Sequence, residues 1–206
     1  MVLYPNTPPT NFQKVVITGP ESTGKSVLTR QLGFSYHAPY EIECARDMLV
    51  PGVPYDFEEL REIASLQFHQ RNKQTPFDPK NPLLFCDTDA VVFQIWSLEK
   101  FGRELPEATE DLKLFPAALY LLCRPDIPWE PDPLRENPHD RERLFNRYRH
   151  YLEKHRLPYR IVEGQNEERV YCAAFHIKEV FGYRMTQEWD TKLFLDTHIP
   201  NDKREG

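Results

Sequence analysis

The sequence predicts an α/β domain: a parallel sheet of about five strands, helices on both faces, and an Arg/Pro-rich lid. Three observations predict it. Short β-branched or leucine-rich runs alternate with amphipathic stretches; the first run leads straight into a glycine-framed octapeptide; and two later runs end in polar segments able to carry chemistry.

In order along the chain, residues 14–18 (Lys-Val-Val-Ile-Thr) form an apolar run stopping at Gly19, the pattern of a buried strand. Residues 26–33 follow as a helix, and residues 39–44 are a weaker strand. Residues 56–74 carry Phe57, Leu60, Ile63, Ala64 and Phe68 at helical spacing, with Asp56 placed to cap the start. Residues 82–87 are a second strand, which stops at a carboxylate, and helical periodicity resumes over 90–101. Residues 117–123 are a third strand. Residues 124–140 hold five prolines and no apolar period, so they read as a loop or lid. A charged helix over 141–155, a strand over 159–162 and a helix over 167–181 complete the alternation, which implies right-handed crossovers. The expected division is one domain over residues 1–181, with its lid at about 124–140, and a C-terminal appendage over 182–206.

Composition narrows the function. The 206 residues are 40% hydrophobic and 28% charged, with 26 Lys+Arg against 32 Asp+Glu for a formal charge of −6. A chain of that length buries about 70% of its unfolded surface and needs no disulfide or metal staple. The acidic balance argues against long nucleic acid as the main partner. Cys44, Cys86, Cys123 and Cys172 are too widely spaced for a zinc site and read as small buried hydrophobes. The longest apolar run, residues 117–123, is too short to span a membrane, and no signal segment is visible, so the expected location is the reducing cytoplasm.

Gly19-Pro-Glu-Ser-Thr-Gly24-Lys25-Ser26 fits GxxxxGK[ST] and lies between a strand and a helix, the context that marks a phosphate loop. The fold class is therefore a P-loop NTPase. The loop curls so that successive N–H groups face phosphate oxygens, and the helix behind it adds its positive end. Gly19, Glu21, Ser22, Thr23, Gly24, Lys25, Ser26 and Val27 are the candidate ATP contacts, with Arg124 beyond the third strand. Lys25 is placed for the β and γ phosphates and Ser26 for Mg²⁺.

Ligands gather at the carboxyl ends of strands in such sheets. Asp87-Thr88-Asp89 sits at one such end, where one carboxylate can hold Mg²⁺ and the other can orient a substrate hydroxyl; the sequence leaves open which does which, and leaves open that Asp89 only caps the next helix. The lid arginines, Arg135 with Arg141 or Arg143, can neutralise charge on a transferring phosphoryl group. Glu43, Arg46 and Gln70 lie where an acceptor would be met, and Trp96 and Trp129 are aromatic candidates for its wall.

Together these residues resemble the ribosylnicotinamide kinase domain of the NadR family. The resemblance is carried by GPESTGKS (residues 19–26), Glu43-Cys-Ala-Arg46, His69-Gln70-Arg71, Asp87-Thr88-Asp89 with Gln94 behind it, and W-x-x-D-x-L-R from Trp129 to Arg135. It implies ATP-dependent phosphorylation of the ribose 5′-hydroxyl of nicotinamide riboside, a step of NAD salvage, with Lys25, Asp87, Asp89 and Arg135 in catalysis, Ser26 and Asp87 at the metal, and Glu43, Arg46, Gln70, Asp89, Trp96 and Trp129 at the acceptor. The family's adenylyltransferase domain precedes its kinase domain; with the octapeptide at residue 19, the expectation is a kinase domain alone. The family's Glu-Tyr-Gly-Arg is Glu-Cys-Ala-Arg here, so an aromatic residue is lost. Nicotinamide riboside carries a pyridinium cation, which suits aromatic faces and a carboxylate. The alternatives are a kinase of another nucleoside or nucleotide, and a P-loop regulatory NTPase.

Overall fold

A computed structural model describes residues 12–71, 74, 77–132 and 139–186. Five strands form one sheet: β1 (Gln13–Thr18), β2 (Tyr40–Glu41), β3 (Leu83–Asp87), β4 (Leu119–Cys123) and β5 (Tyr159–Val162), in the order β2-β3-β1-β4-β5. Every pairing between these five strands is parallel. Seven helices accompany it among the described residues: α1 (Lys25–Ser35), α2 (Ala45–Met48), α3 (Phe57–Arg71), α4 (Ala90–Phe101), α5 (Pro106–Leu114), α6 (Arg141–Lys154) and α7 (Glu167–Phe181).

The alternation of side chains along each strand divides the interior into two layers. Val15, Ile17, Leu83, Phe85, Leu119 and Leu121 point to one face, where Leu28 and Leu32 of α1 and Val170, Ala173 and Ile177 of α7 cover them. Val16, Leu84, Cys86, Tyr120 and Leu122 point to the other, under Val91 and Ile95 of α4 and Phe145, Tyr148 and Leu152 of α6. Each large side chain so buried contributes about 1.5–3 kcal/mol. A third cluster fills the space between α3, α4 and α5 through Leu60, Ile63, Phe68, Phe93 and Leu105.

Three segments differ from expectation. The strand read over 39–44 is two residues long: β2 pairs with β3 only at Tyr40 and Glu41, after which the chain leaves the sheet and turns into α2. Helix α5 was not legible, because its buried positions are Ala108 and Asp111 and make no apolar stripe. At the far end, Gly182 closes α7 in the left-handed region and Thr186 bonds the Ser35 carbonyl through both its N–H (2.8 Å) and its hydroxyl (3.1 Å). The appendage expected over 182–206 thus begins docked on α1, and residues 187–206 lie outside the described residues. Asp56 caps α3 as expected, in a reciprocal pair: Glu59 N–H donates to its carboxylate (3.0 Å) and Asp56 N–H donates to Glu59 (2.7 Å).

Candidate functional site

The loop between β1 and α1 is shaped by backbone. Gly19 (φ 131°), Ser22 (φ 54°) and Gly24 (φ 74°) sit at positive φ, an alternation that turns successive N–H groups inward as a concave anion cradle. A side chain at Gly19 would place Cβ 2.8 Å from the Cys123 carbonyl oxygen, so only glycine lets the loop pass over the end of β4. Helix α1 then begins with no side-chain cap and no acidic residue in its first turn, which leaves its positive end open to an anion. Thr23 and Lys25 both donate to the Pro20 carbonyl, each at 2.8 Å.

Two arginines brace this loop from outside. Arg141, at the start of α6, donates to the carbonyls of Ser22 (3.1 Å) and Ile127 (2.9 Å) and stands over the Trp129 ring at 5.7 Å. The Glu130 N–H donates to the Ser22 hydroxyl at 3.0 Å, so the Pro-rich segment after β4 is tied to the loop at that residue. Arg169, buried at the start of α7, donates to the carbonyls of Thr23 (3.2 Å), Gly164 (2.9 Å) and Arg124 (3.2 Å) and pairs with Asp126. Sequence reading missed Arg169; it lies in a helix whose periodicity was clear, and nothing local marks it.

The three residues at the end of β3 do three different things. Asp87 is fully buried, and among the described residues neither carboxylate oxygen has a hydrogen-bond partner. Burial pushes its pKa up to about 6; Lys25 opposes that rise, Glu43 adds to it, and Ser26 offsets part of it without completing a hydrogen bond. Thr88, a β-branched residue at φ 78°, donates its hydroxyl to Glu43 at 3.1 Å. Asp89 caps α4 by accepting from the Val91 N–H (2.9 Å), accepts from the Tyr120 hydroxyl (2.9 Å) and faces Lys14 at 3.7 Å. Asp89, expected as a base or acceptor ligand, is thus placed with its oxygens engaged inside the fold, and neither it nor Asp87 is among the residues that line the cleft. An orphaned buried carboxylate beside Ser26 fits a magnesium ion, which takes one or two protein oxygens and completes its shell with phosphates and water.

A cleft of about 1000 Å³ runs from the loop to the edge of the sheet. Residues 19–27, Gln165, Asn166 and Arg169 line one end; Glu43, Arg46, Val92, Ile95, Trp96, Tyr55 and Tyr148 line the other. Trp96 stacks on Phe93 (centroids 5.9 Å apart) and donates its indole N–H to the Tyr55 hydroxyl at 2.6 Å. Arg46 reaches across to Asp132 of the Pro-rich segment after β4 at 2.6 Å. The structure therefore gathers Gly19, Glu21, Ser22, Thr23, Gly24, Lys25, Ser26, Val27, Glu43, Arg46 and Trp96 around one space. Asp87, Asp89, Gln70, Arg124 and Trp129 are not among the residues that line it. Gln70 is exposed on α3 away from the cleft, and the buried glutamine of that helix is Gln67. Arg124 is exposed beside Glu163 (3.6 Å) and Phe145. Arg135 lies outside the described residues. Trp129 is held at the rim by Arg141 rather than in the cleft lining. Gln94, buried, accepts from the Leu105 N–H at 3.0 Å and joins α4 to α5.

A family model described as an AAA domain, AAA_28, matches residues 14–169. The chain belongs to that family. Among solved structures, this AAA_28 member is similar to a NadR protein in complex with NR, at TM-score 0.69 and 19% identity over 88% of this chain and 55% of that one. It is similar to a NadR protein in complex with NAD and AMP-PNP, at TM-score 0.65 and 20% identity over 87% and 52% of the two chains. A shikimate kinase from Acinetobacter baumannii in complex with shikimate aligns at TM-score 0.50 and 12% identity, over 83% of this chain and 94% of that one. The chain thus spans about half the length of the NadR chains. The shared property is the fold, a P-loop NTPase sheet with its helices. Among the described residues no helix is long and apolar enough to cross a membrane.

Proposed function

We propose that the chain is an ATP-dependent small-molecule kinase that transfers the γ-phosphoryl group to the ribose 5′-hydroxyl of nicotinamide riboside. The observation that carries this reading is the continuity of the cleft, which joins an anion cradle to an aromatic and carboxylate-bearing end. The loop amides, Lys25 and the start of α1 bind the triphosphate, and Lys25 stabilises charge that builds on the transferring group. Ser26 and Asp87 would hold magnesium, whose role when bound is to neutralise phosphate charge. Glu43 and the Trp96–Tyr55 wall receive a pyridinium ring, the carboxylate by charge and the ring faces by their quadrupole. Asp87 is the remaining candidate for orienting the hydroxyl, since Asp89 is occupied as a helix cap. The free thiols of Cys44, Cys86, Cys123 and Cys172 support a reducing, cytoplasmic setting.

The likeness to NadR in complex with NR supports the acceptor, and AMP-PNP in the second NadR complex supports ATP. The test is steady-state turnover of MgATP with nicotinamide riboside, neutral nucleosides and shikimate as acceptors, with product mass measured. Formation of the 5′-monophosphate of nicotinamide riboside in preference to the others is expected. Preference for a neutral nucleoside would retain the kinase and remove the acceptor; hydrolysis unaffected by any acceptor would overturn both.

A further inference from the structure

Helix α3 buries a stripe of Leu60, Ile63, Ala64, Gln67, Phe68 and Arg71, and in its middle stands a glutamine that is 1% exposed. A buried primary amide carries two donors and an acceptor oxygen, and leaving them unpaired costs free energy. Gln67 turns its oxygen and one of its donors to one short segment. Its Nε2 donates to the Ile42 carbonyl at 3.2 Å, and its Oε1 accepts from the Cys44 N–H at 2.7 Å. Those partners are the residues immediately before and after Glu43. Bonding to i−1 and i+1 is how a residue of a parallel ladder holds its opposite number. The side-chain amide thus continues the sheet at the point where β2 stops, with Glu43 as its ladder partner.

The Glu43 carboxylate is fixed from a second direction by the Thr88 hydroxyl at 3.1 Å. Thr88 is held at φ 78°, a conformation that costs a β-branched residue free energy and persists only where surrounding contacts over-determine it. Backbone and side chain of one cleft-lining carboxylate are therefore set by two separate residues, neither of which lines the cleft itself.

We propose that Gln67 is a positioning residue for the acceptor: it clamps the backbone on either side of Glu43 and so fixes where that carboxylate stands in the cleft. The role rests on the reading of Glu43 as an acceptor contact. The clamp itself has a readout that needs no substrate. Cys44 starts a short turn outside the sheet, so its N–H, if clamped, exchanges with solvent as slowly as the amides inside α3.

The experiment uses the whole chain. Amide hydrogen exchange of the unaltered protein is expected to show Cys44 protected to the level of α3; exchange at the rate of the exposed 50–54 loop would overturn the clamp. Gln67→Met, which keeps the length and loses both hydrogen bonds, is expected to speed Cys44 exchange and raise the KM for nicotinamide riboside, each by about tenfold, with the KM for ATP within about twofold. An equal rise in both KM values would assign Gln67 a structural role and overturn the proposal. In a Glu43→Gln background the same substitution is expected to add less than about twofold, because the group being positioned is gone. Full additivity of the two changes would overturn it. If Glu43→Gln alone leaves the acceptor KM unaltered, the reading of the site fails and the positioning role falls with it. If the unaltered protein does not phosphorylate nicotinamide riboside, the proposed acceptor fails separately, and Cys44 protection then decides the clamp alone.

Discussion

The two ends of the cleft are built by different means. The phosphate end is made of backbone: positive-φ residues at 19, 22 and 24, an uncapped helix start, and carbonyls locked from behind by Arg141 and Arg169. The end proposed to take the acceptor is made of side chains: Glu43 on a segment that has left the sheet, Tyr55 at the end of a loop, and Trp96 projecting from α4. A backbone-built site recognises a group common to all nucleotides and tolerates little change. A side-chain-built site can be respecified one residue at a time, which is why the reaction class follows from the first end and the acceptor identity from the second.

The largest expected effect tests the phosphate end. Lys25→Ala is expected to lower kcat by about 1000-fold or more, since it removes charge where negative charge accumulates. The melting temperature is expected to stay within a few degrees, because the half-buried side chain makes one hydrogen bond among the described residues, to Pro20. Activity assays and thermal melts read the two together; a large fall in melting temperature would make Lys25 part of the loop's scaffold.

Arg169→Met comes next and separates bracing from binding. It strips hydrogen bonds from Thr23, Gly164 and Arg124 and leaves Asp126 without its cation. Breaking such a pair costs about 3 kcal/mol, or on the order of 10 °C in a chain of this size. The KM for ATP is expected to rise about tenfold while the KM for the acceptor changes less, because Arg169 touches the loop and not the far end. Comparable rises in both would mean that the two ends are mechanically one.

The phosphate end was the more legible from sequence for the same reason that it is rigid. A loop that works through backbone geometry needs glycine at fixed positions, and those positions can be read. The parallel sheet was legible too, because strands buried on both faces are apolar throughout, as Leu83 to Cys86 and Leu119 to Cys123 are. Distant contacts left no such trace. Asp87 and Asp89 look alike in sequence, and only the position of Tyr120 and the start of α4 decides that Asp89 belongs to the core. Gln70 and Gln67 are three residues apart on one helix. Extending the stripe of Leu60, Ile63, Ala64 and Phe68 would have put Gln67 on its buried side and Gln70 outside it. Arg169 was out of reach, since its partners other than Gly164 lie more than 40 residues away, in the loop after β1 and the segment after β4.

Asp87 gives a pH-dependent way to sharpen the comparison. Its folded pKa, about 6, lies above the ordinary 3.8, so between those values the folded protein holds a proton that the unfolded chain has lost. Folding stability from this group is therefore present below about pH 4 and lost as pH rises through 6, a difference on the order of 3 kcal/mol. Asp87→Asn is expected to raise the melting temperature at pH 7.5 and leave it unaltered at pH 4, measured without ligand. The same substitution is expected to weaken MgATP-dependent turnover, and the unaltered enzyme is expected to lose activity as pH falls below 6. A stabilisation that is the same at both pH values would mean that Asp87 is not the titrating group.

The smallest expected effect lies across the mouth of the cleft, where Arg46, on the side proposed for the acceptor, meets Asp132 of the Pro-rich segment after β4. The ion pair is short, 2.6 Å, yet Arg46 is nearly half exposed and Asp132 about one-fifth. Exposed pairs of this kind contribute at most about 1 kcal/mol and are screened by salt. Arg46→Gln is therefore expected to leave the melting temperature within about 2 °C. Its effect is expected in the acceptor KM, raised about two- to threefold at low ionic strength and by less in 0.5 M (~4 Å screening length) salt, because the pair joins the two walls between which an acceptor would enter. Measuring both KM values across a salt series reads this directly. If salt moves the KM for ATP and leaves that for the acceptor alone, the lid segment up to Asp132 answers to the phosphate end, where Arg141 and Glu130 already tie it, and the pair with Arg46 contributes nothing to acceptor binding.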